Sequence, residues 1–261
     1  AARAWGAGGE HGLISIPARE ALDIDTPADL LLAERLASLR RIHFVVAMSP
    51  SLGTGHYHRC LTLARALSHH DLSWEWSAEP PKYAQASVAD MEGPGGGADL
   101  TIFDRLEVPL PDLLNAKARG KVVVLEDEGA DTGQLADLRV NEMLDRADLK
   151  YAVLREEFLC LPEREHNGER RALVTFGGSD PANLAERVTD LLHEECELQV
   201  IRPGEAVSMA RAMREASLVI TSQGRTVFEA AACGCPCLSI SANERESRHI
   251  RLPGITYLGL H

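Results

Sequence analysis

A glycine-rich turn early in the chain carries the first histidine that could take part in chemistry. The turn follows an apolar run over residues 42–48, typical of a buried strand, and precedes an apolar stripe over residues 57–68, typical of a helix. Gly53 and Gly55 let the backbone turn sharply, and the free N–H groups at the helix start can hold an anion. His56 stands at this turn, where its imidazole could take a proton from water or from a sugar hydroxyl. An ordinary strand-to-helix turn with an incidental histidine explains the same residues.

A second turn of this kind lies in the other half of the chain. Gly177 and Gly178 follow a predicted strand over residues 171–176 and precede a predicted helix over residues 182–193. This turn could also seat an anion at a helix start. Asp180 either caps that helix or contacts a ligand, and the sequence leaves both possibilities open.

A third turn begins at Ser222, after another predicted strand. Gly224 permits close approach of a ligand, and the helix that begins near Arg225 can point N–H groups at a diphosphate. Glu229 lies one turn further and could bind a pair of ribose hydroxyls. A carboxylate beside the small apolar run 230–233 would be costly to bury without partners, which favours a ligand role over a structural one.

Two further polar segments follow less regular patterns. The segment Asn243-Glu-Arg-Glu246 comes after a predicted strand and is either at the edge of a cleft or in a solvated loop. Arg155 could pair with Glu156, with Glu157 or with a ligand phosphate.

Strand and helix patterns alternate from residue 41 onward, which is typical of parallel β/α units. The predicted strands are 42–48, 99–103, 121–125, 138–141, 171–176, 197–201, 218–221 and 237–241, and the predicted helices are 57–68, 111–119, 182–193, 206–215 and 225–233. A polar segment over residues 160–170 predicts a linker. We therefore expect an α/β fold with two Rossmann-like domains, residues 41–163 and 164–261, that face each other across a cleft.

Composition limits the kinds of partner. The net charge is −12, from 27 Lys and Arg against 39 Asp and Glu, which argues against nucleic-acid or anionic-membrane binding. No apolar stretch approaches the roughly 20 residues that span a bilayer, and the six scattered cysteines suit a reducing cytoplasm. Cys233, Cys235 and Cys237 have the spacing of a strand, so we expect buried core residues there and no metal ligands.

Taken together, these motifs resemble the UDP-sugar hydrolases of the pseudaminic-acid pathway and the related spore-coat polysaccharide biosynthesis proteins over about residues 42–260. The residues that carry the resemblance, in the same order, are Gly53-Thr-Gly-His56 with Arg59, Tyr151–Phe158, Gly177–Asp180, Gly224–Glu229 and Asn243-Glu244. The resemblance implies a GT-B fold with a UDP-sugar between the two domains. It also implies cleavage of the anomeric C–O bond to give UDP and a free diacetamido-trideoxy sugar, with no metal or other cofactor.

The resemblance also assigns roles to matching positions. His56 would be the base that activates water, and Asn243 would be its polar partner in the active site. The residues expected to bind the UDP-sugar are Gly53, Gly55, Arg59, Asp104, Arg155, Gly177, Gly178, Ser222, Gly224, Arg225, Thr226, Glu229 and Glu244. The chain departs from the hydrolases after the strand 99–103, where Asp104-Arg-Leu-Glu107 replaces their Asp-His-Tyr-Gly and removes an active-site tyrosine.

The first forty residues resemble a different family. Thr26 and Pro27 predict the start of a helix over residues 27–39. The segment Leu22–Leu30 resembles the end of a CMP-nonulosonate cytidylyltransferase, in which the aspartates that match Asp23 and Asp25 hold Mg²⁺. The nucleotide-binding body of that family is not present before it, so we interpret residues 1–40 as the remnant of a fused domain.

Three hypotheses follow for function. The first is an enzyme of nonulosonic-acid synthesis that hydrolyses a UDP-amino-sugar with His56 as base. The second keeps the same scaffold and transfers the sugar to a hydroxyl acceptor, as a GT-B glycosyltransferase. The third is a non-catalytic nucleotide-sugar-binding module that supports the fused or associated cytidylyltransferase.

Overall fold

The computed structural model describes residues 15–16, 21–49, 54–77, 97–129, 133–164, 170–178, 180, 182–203, 205 and 207–261, and the chain divides into two compact units, 1–40 and 41–261. The first unit contains helix α1, Pro27–Ala37. Thr26 begins it with a capping box, because the Thr26 hydroxyl accepts from the backbone N–H of Asp29 while the Asp29 carboxylate accepts from the backbone N–H of Thr26. This confirms the predicted helix.

Asp23 and Asp25, the predicted magnesium ligands, are both exposed just before α1. Within the described residues they belong to no group of three potential metal ligands. Carboxylate oxygens suit Mg²⁺, but two exposed carboxylates do not make a site by themselves. The cytidylyltransferase resemblance of this unit stays a prediction.

The second unit is built from parallel β/α units. Its described strands are β1 Arg41–Val46, β2 Asp71–Trp76, β3 Leu100–Asp104, β4 Lys121–Leu125, β5 Leu138–Val140, β6 Arg171–Val174, β7 Glu197–Val200, β8 Leu218–Ser222, β9 Cys237–Ser241 and β10 Ile255–Leu260. Its described helices are α2 Gly55–Ala66, α3 Leu110–Lys117, α4 Leu184–Leu192, α5 Met209–Glu215, α6 Thr226–Ala232 and α7 Glu244–Ser247. No helix in the described part of the chain has the length and apolar character needed to cross a bilayer.

The strands form two parallel sheets with the same strand order, or winding. The first sheet has the order β2-β1-β3-β4-β5 and the second has the order β10-β9-β8-β6-β7. Within each sheet the order is therefore second, first, third, fourth, fifth along the chain. The connections after the first and third strands leave in opposite directions, which opens a crevice at the carboxyl ends of those two strands. The crevices lie between β1 and β3 and between β6 and β8.

Each sheet is apolar on both faces, as parallel sheets covered by helices are. In the first sheet Phe44 and Leu72 pack on one face, while Val122 and Leu113 pack on the other. The second sheet has the same arrangement: one face packs around Leu173 and the other around Val174. Burial on both faces explains why central strands such as β4 are apolar over most of their length.

The three closely spaced cysteines belong to the core of the second sheet. Cys233, Cys235 and Cys237 are buried, free thiols, and all three pack in the cluster that contains Met213. Burial raises the pKa of Cys233 to about 11 and that of Cys237 to about 12, so the thiolate form that binds metals is disfavoured. The prediction of buried core residues is confirmed.

Three elements of the structure are not among those predicted from the sequence. Strand β2, helix α7 and strand β10 were not predicted, whereas the predicted helices and the other strands are present with bounds that shift by a few residues. Part of the predicted linker, residues 165–169, lies outside the described residues. Phe158 packs in the second-sheet core with Leu173, and the predicted domain boundary at residues 163 and 164 stays a prediction.

Candidate active site in the cleft

A cleft of about 710 Å³ lies between the carboxyl ends of the two sheets. The turns after β1, β6 and β8 line it, as the crevice rule for open parallel sheets predicts. The predicted site residues among its lining are Gly55, His56, Arg59, Arg155, Gly177, Gly178, Ser222, Gly224, Arg225, Thr226 and Glu229. Gly53 lies outside the described residues.

His56 is the second residue of α2 and is only 3% exposed. Its Nδ1 lies 2.5 Å from Oδ1 of Asp104, the last residue of the neighbouring strand β3. A carboxylate only accepts hydrogen bonds, so Nδ1 carries the proton and Nε2 is the nitrogen through which the ring would act on a bound molecule. This is the base-and-orienting-carboxylate arrangement of general-base catalysis.

Neighbouring charges stabilise the ionised forms of both His56 and Asp104. Burial disfavours the imidazolium, but Asp104 and Glu126 outweigh burial and raise the pKa of His56 above its ordinary value. Burial also opposes the Asp104 carboxylate, yet Arg59 and His56 outweigh it and hold the pKa of Asp104 far below its ordinary value. Asp104 is therefore a fixed negative charge that stabilises the imidazolium formed when His56 accepts a proton.

Asp104, which the sequence predicted as a ligand contact, does not line the cleft. It is fully buried and absent from the cleft lining, and it accepts hydrogen bonds from His56 and Arg59 and from the Cys60 thiol. Asp104 lies at the end of a strand beneath the turn, so it reaches the histidine and not the cleft. Its hydrogen bond holds the His56 ring in place, and the role of Asp104 as a ligand contact stays a prediction that this arrangement does not favour.

Arg59 lies one turn into α2 and connects several carboxylates. Its Nε donates to Asp104 Oδ2 over 2.7 Å, its Nη1 to Glu142 Oε1 over 3.0 Å, and its Nη2 lies 3.2 Å from Glu126 Oε2. His56, Asp104 and Glu126 could hold a cation by their spacing, but the Arg59 guanidinium already supplies the positive charge between the two carboxylates. Arg59 lines the cleft while these three carboxylates hold its guanidinium.

Glu126 adopts an unusual backbone conformation at the end of β4. Its φ is 57°, in the left-handed region, which costs a non-glycine residue about 1 kcal/mol or more. Its carboxylate contacts Arg59 and also Arg225, whose Nη2 lies 3.3 Å from Glu126 Oε1. The two arginines hold Glu126 in place from opposite sides of the cleft.

Arg225 joins the two halves of the site. It precedes α6 on the second sheet, and its Nη2 contacts the carboxylate of Glu142, which follows β5 of the first sheet. Burial raises the pKa of Glu142 to about 7, with Arg59 opposing that rise. The predicted nucleotide-binding arginine is therefore paired with carboxylates of the opposite half.

The glycine turns of the two halves meet directly. A Cβ added at Gly178 would lie 2.8 Å from the backbone nitrogen of Thr54, the residue that begins α2. Real Cβ atoms do not approach backbone this closely, so position 178 requires glycine for contact between the turns. Gly177 has a φ of 78°, which also favours glycine.

Glu229 and Arg155 form an ion pair in the cleft wall. Arg155 Nε donates to Glu229 Oε1 over 2.8 Å, and Arg155 Nη1 lies 3.0 Å from Glu157 Oε1. Burial raises the pKa of Glu229, while Arg155 opposes that rise. The predicted pair with Glu157 is present, and the pair with Glu229 places two predicted ligand residues side by side.

Other predicted residues do not line the cleft. Asn243 and Glu244 are exposed, and the Asn243 side chain caps α7 by accepting from the backbone N–H of Glu246. Asp180 caps α4 by accepting from the N–H groups of Leu184 and Ala185, which decides between the two possibilities left open by the sequence. The role of Asn243 as an active-site partner stays a prediction that this arrangement does not favour.

Sequence reasoning missed Glu126 and His249, which both lie at the cleft. Arg245 also lies there, within the segment 243–246 expected at the cleft edge, and its Nε donates to Glu128 Oε1 over 2.5 Å. Glu126 and Glu128 follow a predicted strand, so the rule that found the glycine turns could have found them. Arg245 and His249 belong to a segment whose helix was not predicted.

The cleft differs in charge from the chain as a whole. Its described lining contains five arginines and four glutamates, with no aspartate and no lysine, in a chain of net charge −12. The arginines are Arg59, Arg155, Arg202, Arg225 and Arg245. Guanidinium groups match diphosphate geometry, and carboxylates already pair with four of these five, so an anionic molecule would share those guanidinium groups with them.

Comparisons with known proteins identify the fold. No protein-family model matches the chain. The uncharacterized protein MJ1062 of Methanocaldococcus jannaschii is 31% identical over a stretch that covers 36% of this chain and 26% of that protein. The chain therefore matches about a quarter of that relative.

Three solved structures are similar over most of their length. MurG of Acinetobacter baumannii is 15% identical, covers 84% of this chain and 86% of its own, and has a TM-score of 0.57. The glycotransferase of kitacinnamycin is 12% identical, with 85% and 86% covered and a TM-score of 0.56. MnaA of S. aureus, solved with UDP, is 11% identical, with 85% of each chain covered and a TM-score of 0.53. These likenesses confirm the predicted GT-B fold.

Proposed function

We propose that this protein hydrolyses a UDP-amino-sugar at its anomeric carbon. The observation that supports this most directly is the pair of His56 and Asp104 beneath a cleft rich in arginine. A buried imidazole held by a carboxylate is suited to accept a proton from water, and guanidinium groups at the cleft are suited to a diphosphate.

The proposed reaction replaces the bond from the anomeric carbon to the diphosphate with a bond to the oxygen of water. Water attacks the anomeric carbon, its proton passes to His56 Nε2, and the bond from that carbon to the diphosphate oxygen breaks. UDP leaves with the electron pair of that bond. Asp104 would stabilise the resulting imidazolium, and the backbone N–H groups at the start of α6, on the sheet that would hold the nucleotide, would stabilise the departing diphosphate.

The nucleotide would lie on the second sheet. Gly177 and Gly224 allow backbone approach at the two turns there, and Glu229 offers a carboxylate that can accept from a pair of ribose hydroxyls. The similar MnaA structure was solved with UDP, which supports UDP as the nucleotide. The resemblance to the pseudaminic-acid hydrolases supports a diacetamido-trideoxy sugar as the glycosyl group, and residues 1–40 support a role beside a cytidylyltransferase of nonulosonic-acid synthesis.

Transfer of the sugar to a hydroxyl acceptor is the second candidate. One observation favours it: Arg105 and Leu106 stand where the hydrolases carry a histidine and an active-site tyrosine, and Arg105 pairs with Asp112 over 3.4 Å. A transferase would use the same base on an acceptor hydroxyl in place of water.

The test is release of UDP from a panel of UDP-acetamido sugars, with and without hydroxyl acceptors and with EDTA throughout. UDP and free sugar without an acceptor support hydrolysis, and UDP release that requires an acceptor supports transfer. A changed sugar that remains attached to UDP would point to epimerisation and overturn both. Binding of UDP without turnover of any sugar would support the non-catalytic module.

His56→Asn tests the assignment of the base. We expect UDP release to fall by about 10²–10⁴-fold while the Kd for UDP changes little. His193→Asn is the matched control, because His193 is exposed at the end of α4. Full activity in His56→Asn would remove this mechanism.

A further inference from the structure

A second histidine of the cleft has a fixed tautomer. His249 follows α7, lines the cleft and is only 4% exposed. Its Nδ1 lies 2.6 Å from the backbone carbonyl oxygen of Gln223. A carbonyl oxygen only accepts, so Nδ1 carries a proton. Burial lowers the pKa of His249, so the ring is neutral at pH 7 and Nε2 presents a lone pair.

The ring is held by a rigid frame. Gln223, which is 1% exposed, accepts from the Ser239 hydroxyl over 2.5 Å and donates to the Ile250 carbonyl over 2.8 Å. The backbone N–H of Ile250 donates in turn to the Met143 carbonyl over 2.8 Å, across to the other half of the site. Hydrogen bonds of Gln223 and Ile250 therefore fix the position of His249.

The remaining nitrogen of this ring has no partner within the described residues. His249 Nε2 is buried, and no described group donates to it. A buried acceptor without a donor is costly, and native structures rarely tolerate one. Among charged groups, Arg245 disfavours the imidazolium, while Glu126 and Glu128 favour it without overcoming burial.

We infer that His249 Nε2 accepts a hydrogen bond from an O–H or N–H group of the molecule that occupies the cleft. This inference rests on the proposed function and adds a recognition residue that is separate from His56. A neutral acceptor of this kind selects a ligand that carries an uncharged donor at this point and disfavours an analogue that lacks it. The donor would belong either to the nucleoside, as an imide N–H or ribose hydroxyl, or to the glycosyl group, as a hydroxyl or acetamide N–H.

Two probes distinguish these sources. Long-range ¹H–¹⁵N spectra of the ¹⁵N-labelled full chain should show an unprotonated Nε2 for His249, assigned by its loss in His249→Asn. If UDP changes the chemical shift of the Nε2 resonance in the sense expected when this nitrogen accepts a hydrogen bond, the donor lies on the nucleoside. A move that occurs with UDP-N-acetylglucosamine but not with UDP places it on the glycosyl group.

Two variants measure the contribution to binding. His249→Asn keeps an amide near the Gln223 carbonyl but removes the outer acceptor, and we expect the Kd of the responding probe to rise about tenfold, which equals about 1.4 kcal/mol. His249→Gln can place a carboxamide oxygen near the position of Nε2, and we expect it to recover most of the affinity.

The outcomes separate this inference from the proposed function. A protonated Nε2 in the ligand-free protein would overturn the inference. Unchanged resonances with both probes bound, or full affinity in His249→Asn, would also overturn it and leave the proposed function intact. Failure of both probes to bind the unaltered chain would overturn the inference together with the proposed function.

Discussion

Arg225 on the second sheet donates to Glu142 on the first, so one guanidinium joins the two halves of the cleft. Burial has raised the pKa of Glu142 to about 7 from an ordinary 4.5, although Arg59 opposes that rise. This relationship makes the junction of the halves sensitive to pH near neutrality.

Stability should therefore fall as pH rises through about 7 because of Glu142. Its folded pKa exceeds its unfolded pKa, so the folded state binds more protons between pH 4.5 and 7, and this contribution is lost as the group ionises. Glu142→Gln mimics the protonated form, so its free energy of unfolding relative to the unaltered chain should increase with pH, by up to about 3 kcal/mol. Urea denaturation of both chains between pH 5 and 8 measures this, and parallel stability curves would contradict it.

The pair of His56 and Asp104 predicts the pH dependence of UDP release. His56 must be neutral to accept a proton, so kcat/KM should rise with pH through a pKa above the ordinary 6.5 of histidine. Asp104→Asn removes the charge that raises this pKa, so the acidic limb of the profile should move to lower pH while the maximal rate falls by about 10²–10⁴-fold. A profile that keeps its position in Asp104→Asn would show that Asp104 does not set the basicity of His56.

Contact between the glycine turns predicts a cost for alanine at position 178. In Gly178→Ala the new Cβ must displace the backbone of Thr54, and this shift moves the start of α2 with His56. We expect affinity for UDP to fall about tenfold or more. Gly97→Ala is the control, because its Cβ would meet only the end of the Arg41 side chain at 3.9 Å. Equal calorimetric affinities for the two variants would count against contact of the turns.

The Arg155 and Glu229 pair predicts energetic coupling in nucleotide binding. Arg155 opposes the rise in the pKa of Glu229, so Arg155→Met should leave Glu229 more protonated and a poorer acceptor for ribose hydroxyls. Glu229→Gln should weaken UDP binding about tenfold, and Arg155→Met should have little added effect in that background. A double-mutant cycle on the Kd for UDP measures the coupling, and strictly additive losses would show that the two residues act independently.

Much of the fold could be predicted because its signals are local. The run 122–125 is apolar throughout, which predicts a strand buried on both faces. Strand β2 was missed although Leu72, Trp74 and Trp76 alternate with polar residues, the pattern of an edge strand with one covered face. Strand β10 alternates in burial but not in polarity, because its exposed positions include Leu258 and Leu260, so the sequence pattern does not predict it.

The site was predictable only where its residues are close together in the sequence. The glycine turns follow strands and precede helices, so their place at the cleft follows from local pattern alone. The bond from Asp104 to His56 depends on β3 lying beside β1, and the bond from Arg225 to Glu142 depends on how the two sheets face each other. Neither relationship can be read from spacing, which is why both residues were assigned to ligand contact.

The identical winding of the two sheets has a consequence for evolution. All strands of each sheet run in one direction, so their carboxyl ends supply the binding surface, while the opposite ends and the outer helices supply packing. Substitutions at the opposite ends and in the outer helices can change thermal stability without altering which ligand binds. Substitutions in the turns can change ligand binding with little loss of core packing. Adaptation to temperature and adaptation to a new ligand can therefore proceed at separate positions of this chain.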